Sequence, residues 1–64
     1  MKKITIEAAR KNAGFTQREF AKEVGVHSST LANWEHGKAM PNQDQIRKIC
    51  EACEIKFNQI DWRI

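Results

Sequence analysis

Residues 14–38, GFTQREFAKEVGVHSSTLANWEHGK, carry so many start and stop signals that they leave one local arrangement. Gly14, Gly25 and Gly37 are spaced as helix ends, because glycine enters the left-handed region just past a helix without penalty. Thr16 and Glu19 form a T-x-x-E capping box, and Phe15 and Phe20 occupy the two positions of a hydrophobic staple. Two independent devices therefore set one helix start. Phe20, Ala21 and Val24 then face inward, and Gly25 ends that helix after about two turns. Val26 and His27 leave room for a tight turn only. His27 falls at the next N-cap, a position where Ser, Thr, Asp and Asn are preferred. Leu31 and Trp34 form the i, i+3 apolar pair of the following helix. Two helices of about two turns, joined by a tight turn, span about 20 residues. Ser28, Ser29, Thr30 and Asn33 fall largely outside the apolar pair, so a short polar face is left over.

The flanks read as helix too. Thr5 caps a first helix over residues 6–13, with Ile6, Ala9 and Ala13 on one face and Gly14 beyond its end. Met40-Pro41 interrupts the chain, because proline pushes its predecessor out of the α region. Asn42 restarts it, with Gln45 reaching back. Ile46, Ile49, Cys50 and Cys53 make an apolar stripe on a fourth helix. Asn58 is the expected cap of a short fifth helix through Ile60 toward Trp62. KKITI is the one alternating run, and strand signals are otherwise poor. The fold class expected is all-α: a compact bundle of about five short helices.

Size and charge narrow the functions. With 64 residues, the chain makes one domain with a single thin core, too small for an enzyme with a deep pocket. The formal net charge of +3 fits a polyanionic partner without requiring one. No apolar run approaches the roughly 20 residues that span a bilayer. Glu7 and Arg10 interrupt the only segment that starts like a signal peptide. A cytoplasmic location is the expectation.

The residues Thr16-Gln17, Phe20-Ala21, Gly25-Val26, Leu31, Trp34-Glu35, Gly37 and Pro41 resemble the XRE family of helix-turn-helix proteins, typified by lambda-type repressors and Cro. The likeness covers about residues 4–60 without a gap. There are departures. Phe20 stands where leucine is usual, His27 replaces a smaller cap, and Cys53 and Glu54 replace a leucine and a glycine, which leaves the end of the fourth helix unmarked.

The resemblance implies double-stranded DNA as partner, with the second helix of the motif in the major groove and its N-terminal residues at base edges. Ser28, Ser29 and Asn33 are then the expected base contacts, with Thr30 nearer the protein side. Small polar groups permit close approach, and an Asn amide matches adenine. Gln17 matches a family position that grips the DNA backbone, at a helix start whose free N–H groups suit phosphate. Arg18, His27, His36 and Lys38 are further backbone candidates, and Lys2 and Lys3 form a possible basic arm. The alternative for each of these is a solvated surface group. The resemblance also implies an Arg10–Glu35 ion pair joining the first helix to the end of the recognition helix.

Other chemistry finds little support. Cys50-x-x-Cys53 has the spacing of redox and zinc motifs, but i, i+3 spacing also suits two small core hydrophobes. His27 and His36, the remaining zinc-ligand candidates, lie on the expected DNA face, so no metal or other cofactor is expected. Ser28 and Ser29 beside His27 do not make a nucleophile–base pair, because adjacent helix residues point apart. The chain is read as a sequence-specific transcriptional regulator, Cro-like or a short repressor acting by operator occlusion. The alternative is a protein-interaction module or antitoxin-type regulator that uses the same fold to hold a protein. Phe57, Ile60, Trp62 and Ile64 are surplus apolar residues for a homodimer on a pseudo-palindromic operator, unless Trp62 folds back to cover the domain.

Overall fold

A computed structural model describes residues 3–62. It holds four α-helices: α1 (Ile6–Asn12), α2 (Gln17–Val24), α3 (Ser28–Glu35) and α4 (Gln43–Cys53). One 3-10 turn, Phe57–Gln59, follows them.

The local signals account for most boundaries. The Thr5 hydroxyl accepts from the Ala8 N–H at 3.0 Å and opens α1. Both halves of the α2 capping box form: Glu19 N donates to Thr16 Oγ1 at 3.1 Å, and Thr16 N to Glu19 Oε1 at 2.9 Å. The staple closes with the Phe15 and Phe20 rings 5.4 Å apart. Asn42 and Gln45 repeat the reciprocal pairing at α4, at 2.8 and 2.9 Å. His27 sits at the N-cap of α3 and makes no side-chain capping bond. Gly25 takes φ 84°, and the Gly25 and Val26 N–H groups both return to the Ala21 carbonyl. Glu54 also adopts a left-handed conformation, φ 53°. A non-glycine residue thus performs the turn at the end of α4 for which glycine is better suited.

The core is Ile6, Ala9, Phe20, Ala21, Val24, Leu31, Trp34, Ile49 and Ile60. Phe20, Leu31, Ile49 and Ile60 have no exposed surface. α2 packs against both α3 and α4, and α1 bridges the same two helices. The motif is thus held from behind by α1 and α4.

Four expectations are corrected. The fifth helix is a single 3-10 turn that starts at Phe57, with Lys56 rather than Asn58 at its N-cap. Gln59 Oε1 accepts from Lys56 N at 2.8 Å and closes the turn. The chain then runs extended so that Ile60 pairs with Ile4 in one parallel bridge, with Ile4 N donating to Gln59 O and Asp61 N to Ile4 O. Ala13 is exposed, because α1 stops at Asn12 and the chain turns away there. On α4 only Ile49 is fully buried. Cys53 packs on the core from partial burial, while Ile46 and Cys50 lie half-buried on its flank. Finally, Ile60 offers no surface to a partner chain.

Candidate nucleic-acid interface

α3 presents two unlike sides. Leu31 and Trp34 are buried. Ser28, Ser29 and Asn33 are exposed, and Thr30 is half-buried at the boundary. Positions three and four apart share a helix face, so Ser29 and Asn33 lie in line, with Ser28 and Ala32 beside them. Ala32 is itself half-buried. It was not anticipated as part of this face, because an alanine between Leu31 and Trp34 reads as core. Its signal is its spacing, four residues after Ser28.

The start of α3 differs from the other helix starts. It has neither a side-chain cap nor an acidic residue in its first turn. α1, α2 and α4 carry Glu7, Glu19 and Asp44 there. The first N–H groups of a helix lack intrahelical partners and mark the positive end of its dipole. At α3 no carboxylate of its own first turn offsets that charge.

The far end of α3 is tied down. Arg10 Nε donates to Glu35 Oε2 at 2.8 Å. The Arg10 and Glu35 side chains are only 9% and 4% exposed, so the expected pair exists and is buried. Gln17 Nε2 donates to the other carboxylate oxygen at 3.1 Å, and Arg10 Nη1 donates to the Phe15 carbonyl at 3.0 Å. These bonds link α1, the entry to α2 and the end of α3. The Gln17 amide therefore bears on α3, a role not evident from its position at a helix start. Removing either charged partner of such a pair strands the other in a poor solvent.

The other candidates for contact with the DNA backbone lie at the surface. Arg18, His27, His36 and Lys38 are all exposed. Gly37, at φ 75°, turns the chain so that Lys38 N returns to the Asn33 carbonyl at 2.8 Å. That bond fixes the backbone from which the Lys38 side chain projects. Lys3 is exposed on the N-terminal segment, while Lys2 and Ile64 lie outside the described residues.

The helix-turn-helix family profile matches residues 6–60, nearly the whole chain. The chain belongs to the XRE-type helix-turn-helix family. Family and fold are those of DNA-binding regulators. The DNA-binding domain of the P22 C2 repressor, solved in solution, superposes with a TM-score of 0.77 at 26% identity over 83% of this chain and 70% of that one. An HTH-type transcriptional regulator of Bacillus subtilis, YgzD, is 30% identical over 60 residues, covering 94% of this chain and 91% of that protein. The zebrafish (Danio rerio) homolog of endothelial differentiation-related factor 1 is 34% identical over 56 residues, covering 88% of this chain. The chain spans only 38% of the length of that relative.

Within this helix-turn-helix chain the cysteines stand apart from α3. Both are free thiols on α4. Burial pushes Cys50 up, and burial together with the neighbouring Cys50 pushes Cys53 up to about 11. A raised thiol pKa lowers the thiolate fraction and with it the reactivity. Among the described residues no three His, Cys, Asp or Glu side chains converge as a metal site, and no helix is long and apolar enough to cross a membrane.

Proposed function

We propose that this chain is a sequence-specific DNA-binding transcriptional regulator, with α3 as its reading element in the major groove. The observation that carries this reading is the outward side of α3: small polar side chains beside an uncapped helix start, on a helix anchored at its other end by a buried ion pair. Ser28, Ser29 and Asn33 contact base edges, and Thr30 supports them from the boundary. Asn33 suits a bidentate contact to adenine, and Ala32 adds a methyl suited to the thymine methyl group. The N-terminus of α2, around Gln17, and the side chains of Arg18, His27, His36 and Lys38 contact phosphates. One eight-residue helix covers few base pairs, so two copies bind as a homodimer on half-sites about 34 Å apart. Occupancy of such an operator represses by excluding the polymerase.

Selection from a random duplex pool at low and moderate salt tests the proposal. A recovered sequence motif is expected, with affinity falling steeply with salt as counterions are released from phosphates. Failure to retain any sequence at low salt overturns it.

A further inference from the structure

Cys50 and Cys53, the two cysteines of the chain, take no part in the α3 surface. Both are free thiols near the end of α4, and Cys53 is its last residue. Residues three apart share a helix face, with Cβ atoms about 5–6 Å apart. A disulfide needs about 3.5–4.5 Å. An S–S bond therefore cannot close while the last turn of α4 holds. That turn is closed by the Glu54 and Ile55 N–H groups, which both donate to the Cys50 carbonyl. An atom set between the two sulfurs, about 2.3 Å from each as in a metal thiolate, fills the extra distance without moving the backbone. We propose that Cys50 and Cys53 form a dithiol site for a trivalent organic arsenic compound, RAs(OH)2.

The surroundings select this ligand among thiophiles. A structural zinc site takes four ligands, and among the described residues no three His, Cys, Asp or Glu side chains converge. Copper(I) suits two thiolates, but the pair then carries a net negative charge. Glu51 and Glu54 border the hollow beside Cys50, and the end of α4 is the negative end of its dipole. Arg47 and Lys56 line the same hollow and offset the two carboxylates only. Arsenic gives a neutral product. The Cys50 thiol and one As–OH form an As–S bond and release water, and the Cys53 thiol repeats the exchange with the second As–OH. No oxidant is needed and no net charge is left. The burial that holds Cys53 up at about 11 opposes an ionised product and not a neutral one. Inorganic arsenite has a third hydroxyl and the chain has no third cysteine to replace it, whereas RAs(OH)2 has two.

The group R has a place to lie. Cys50 lines one shallow depression with Ile46, Ile55 and Phe57. Phe57 is 56% exposed. Trp62 stacks on it, with centroids 5.6 Å apart, and its Nε1 donates to the Phe57 carbonyl at 2.9 Å, so the wall of the depression is fixed. Cys53 packs on the core instead. Cys50 is thus the thiol of entry, and arsenic tethered there meets Cys53 at high effective concentration.

The test uses the reduced 64-residue chain with phenylarsenous acid as probe, intact-mass spectrometry and circular dichroism. One phenylarsenic group per chain is expected, with loss of two waters, unchanged helix content and a raised melting temperature. The adduct should resist a monothiol and yield to a vicinal dithiol. Cys50→Ser and Cys53→Ser each keep one thiol and should hold the probe about a hundredfold less firmly. Should Cys53→Ser unfold, Cys50→Ser at its half-buried position decides alone. Phenylarsenous acid should bind about tenfold more tightly than methylarsenous acid, because its substituent covers more apolar surface, and Ile46→Ser should narrow that gap. No adduct on the folded chain, an adduct equally firm in a folded single-thiol variant, or one that forms only with loss of helix overturns the site. Equal affinity for the two arsenicals overturns the place given to R.

Discussion

α2 and α3 are both eight residues long and adjacent in the chain, yet they begin in opposite ways. α2 opens with a complete capping box and a closed aromatic staple. α3 opens on His27, with no side-chain cap and no acid in its first turn. α2 is therefore specified locally, by residues within five positions of its start. α3 is held by tertiary means: Leu31 and Trp34 in the core, and Glu35 fastened to Arg10 and Gln17. A helix fixed by its buried side and its far end can leave its own N–H groups available to something outside the protein. The site is tied to the fold through that difference.

Breaking the tertiary hold has the largest expected effect. Glu35→Ala strands the Arg10 guanidinium, at a cost of about 3–5 kcal/mol. A domain of this size loses about 4–8 °C of melting temperature per kcal/mol. A drop of well over 10 °C is therefore expected in a calorimetric scan, against almost none for Glu23→Ala at an exposed position. Equal shifts for the two variants would contradict the buried pair. Breaking the local hold costs less. Thr16→Ala removes the hydroxyl half of the α2 box, worth about 1 kcal/mol, and a fall of about 4–8 °C is expected.

The comparison can also be inverted by giving α3 the cap it lacks. His27→Asp adds a capping oxygen and a favourable charge at the helix dipole, worth about 0.5–1 kcal/mol. The melting temperature should rise while affinity for all duplexes falls, because the carboxylate competes with phosphate for the same N–H groups. Higher stability with undiminished DNA affinity would separate the start of α3 from the interface. The smallest effect is a titration. The hydrogen bond from the Thr16 backbone N–H, then that with its hydroxyl, holds the Glu19 carboxyl below its ordinary 4.5. A lowered folded-state pKa contributes stability that is present above the ordinary value and lost as pH falls through the lowered one. The Thr16 amide resonance should shift with an apparent pKa below 4.5 while those of Ser28 and Ser29 stay put. Titration at or above 4.5 would argue against the box.

The same contrast explains what could be read from residues alone. Thr5, Thr16 with Glu19, and Asn42 with Gln45 are short-range devices with fixed spacing, so the starts of α1, α2 and α4 are visible in the string of letters. The polar side of α3 is visible because Leu31 and Trp34 mark its opposite side. The place of Ile60 is not legible in the sequence for a physical reason. Ile60 joins the core through a bridge to Ile4, and nothing local at either residue announces a contact 56 positions away. Glu54 hid the end of α4 because it takes the left-handed conformation, φ 53°, at a position where glycine is the usual signal. The bond from Gln17 to Glu35 was hidden likewise, since it spans 18 positions between two helices.

The central claim is that α3 reads bases while its neighbours grip phosphates, and one pair of variants tests it directly. Base preference is measured position by position, on sequences recovered from a random duplex pool, for the wild type, Asn33→Ala and Lys38→Ala. Asn33→Ala should lose about 1–3 kcal/mol of discrimination at one position. Lys38→Ala should weaken binding to every sequence alike and reduce the salt slope by about 1. Wild-type preference at every position in Asn33→Ala would contradict the assignment of α3 as the reading helix.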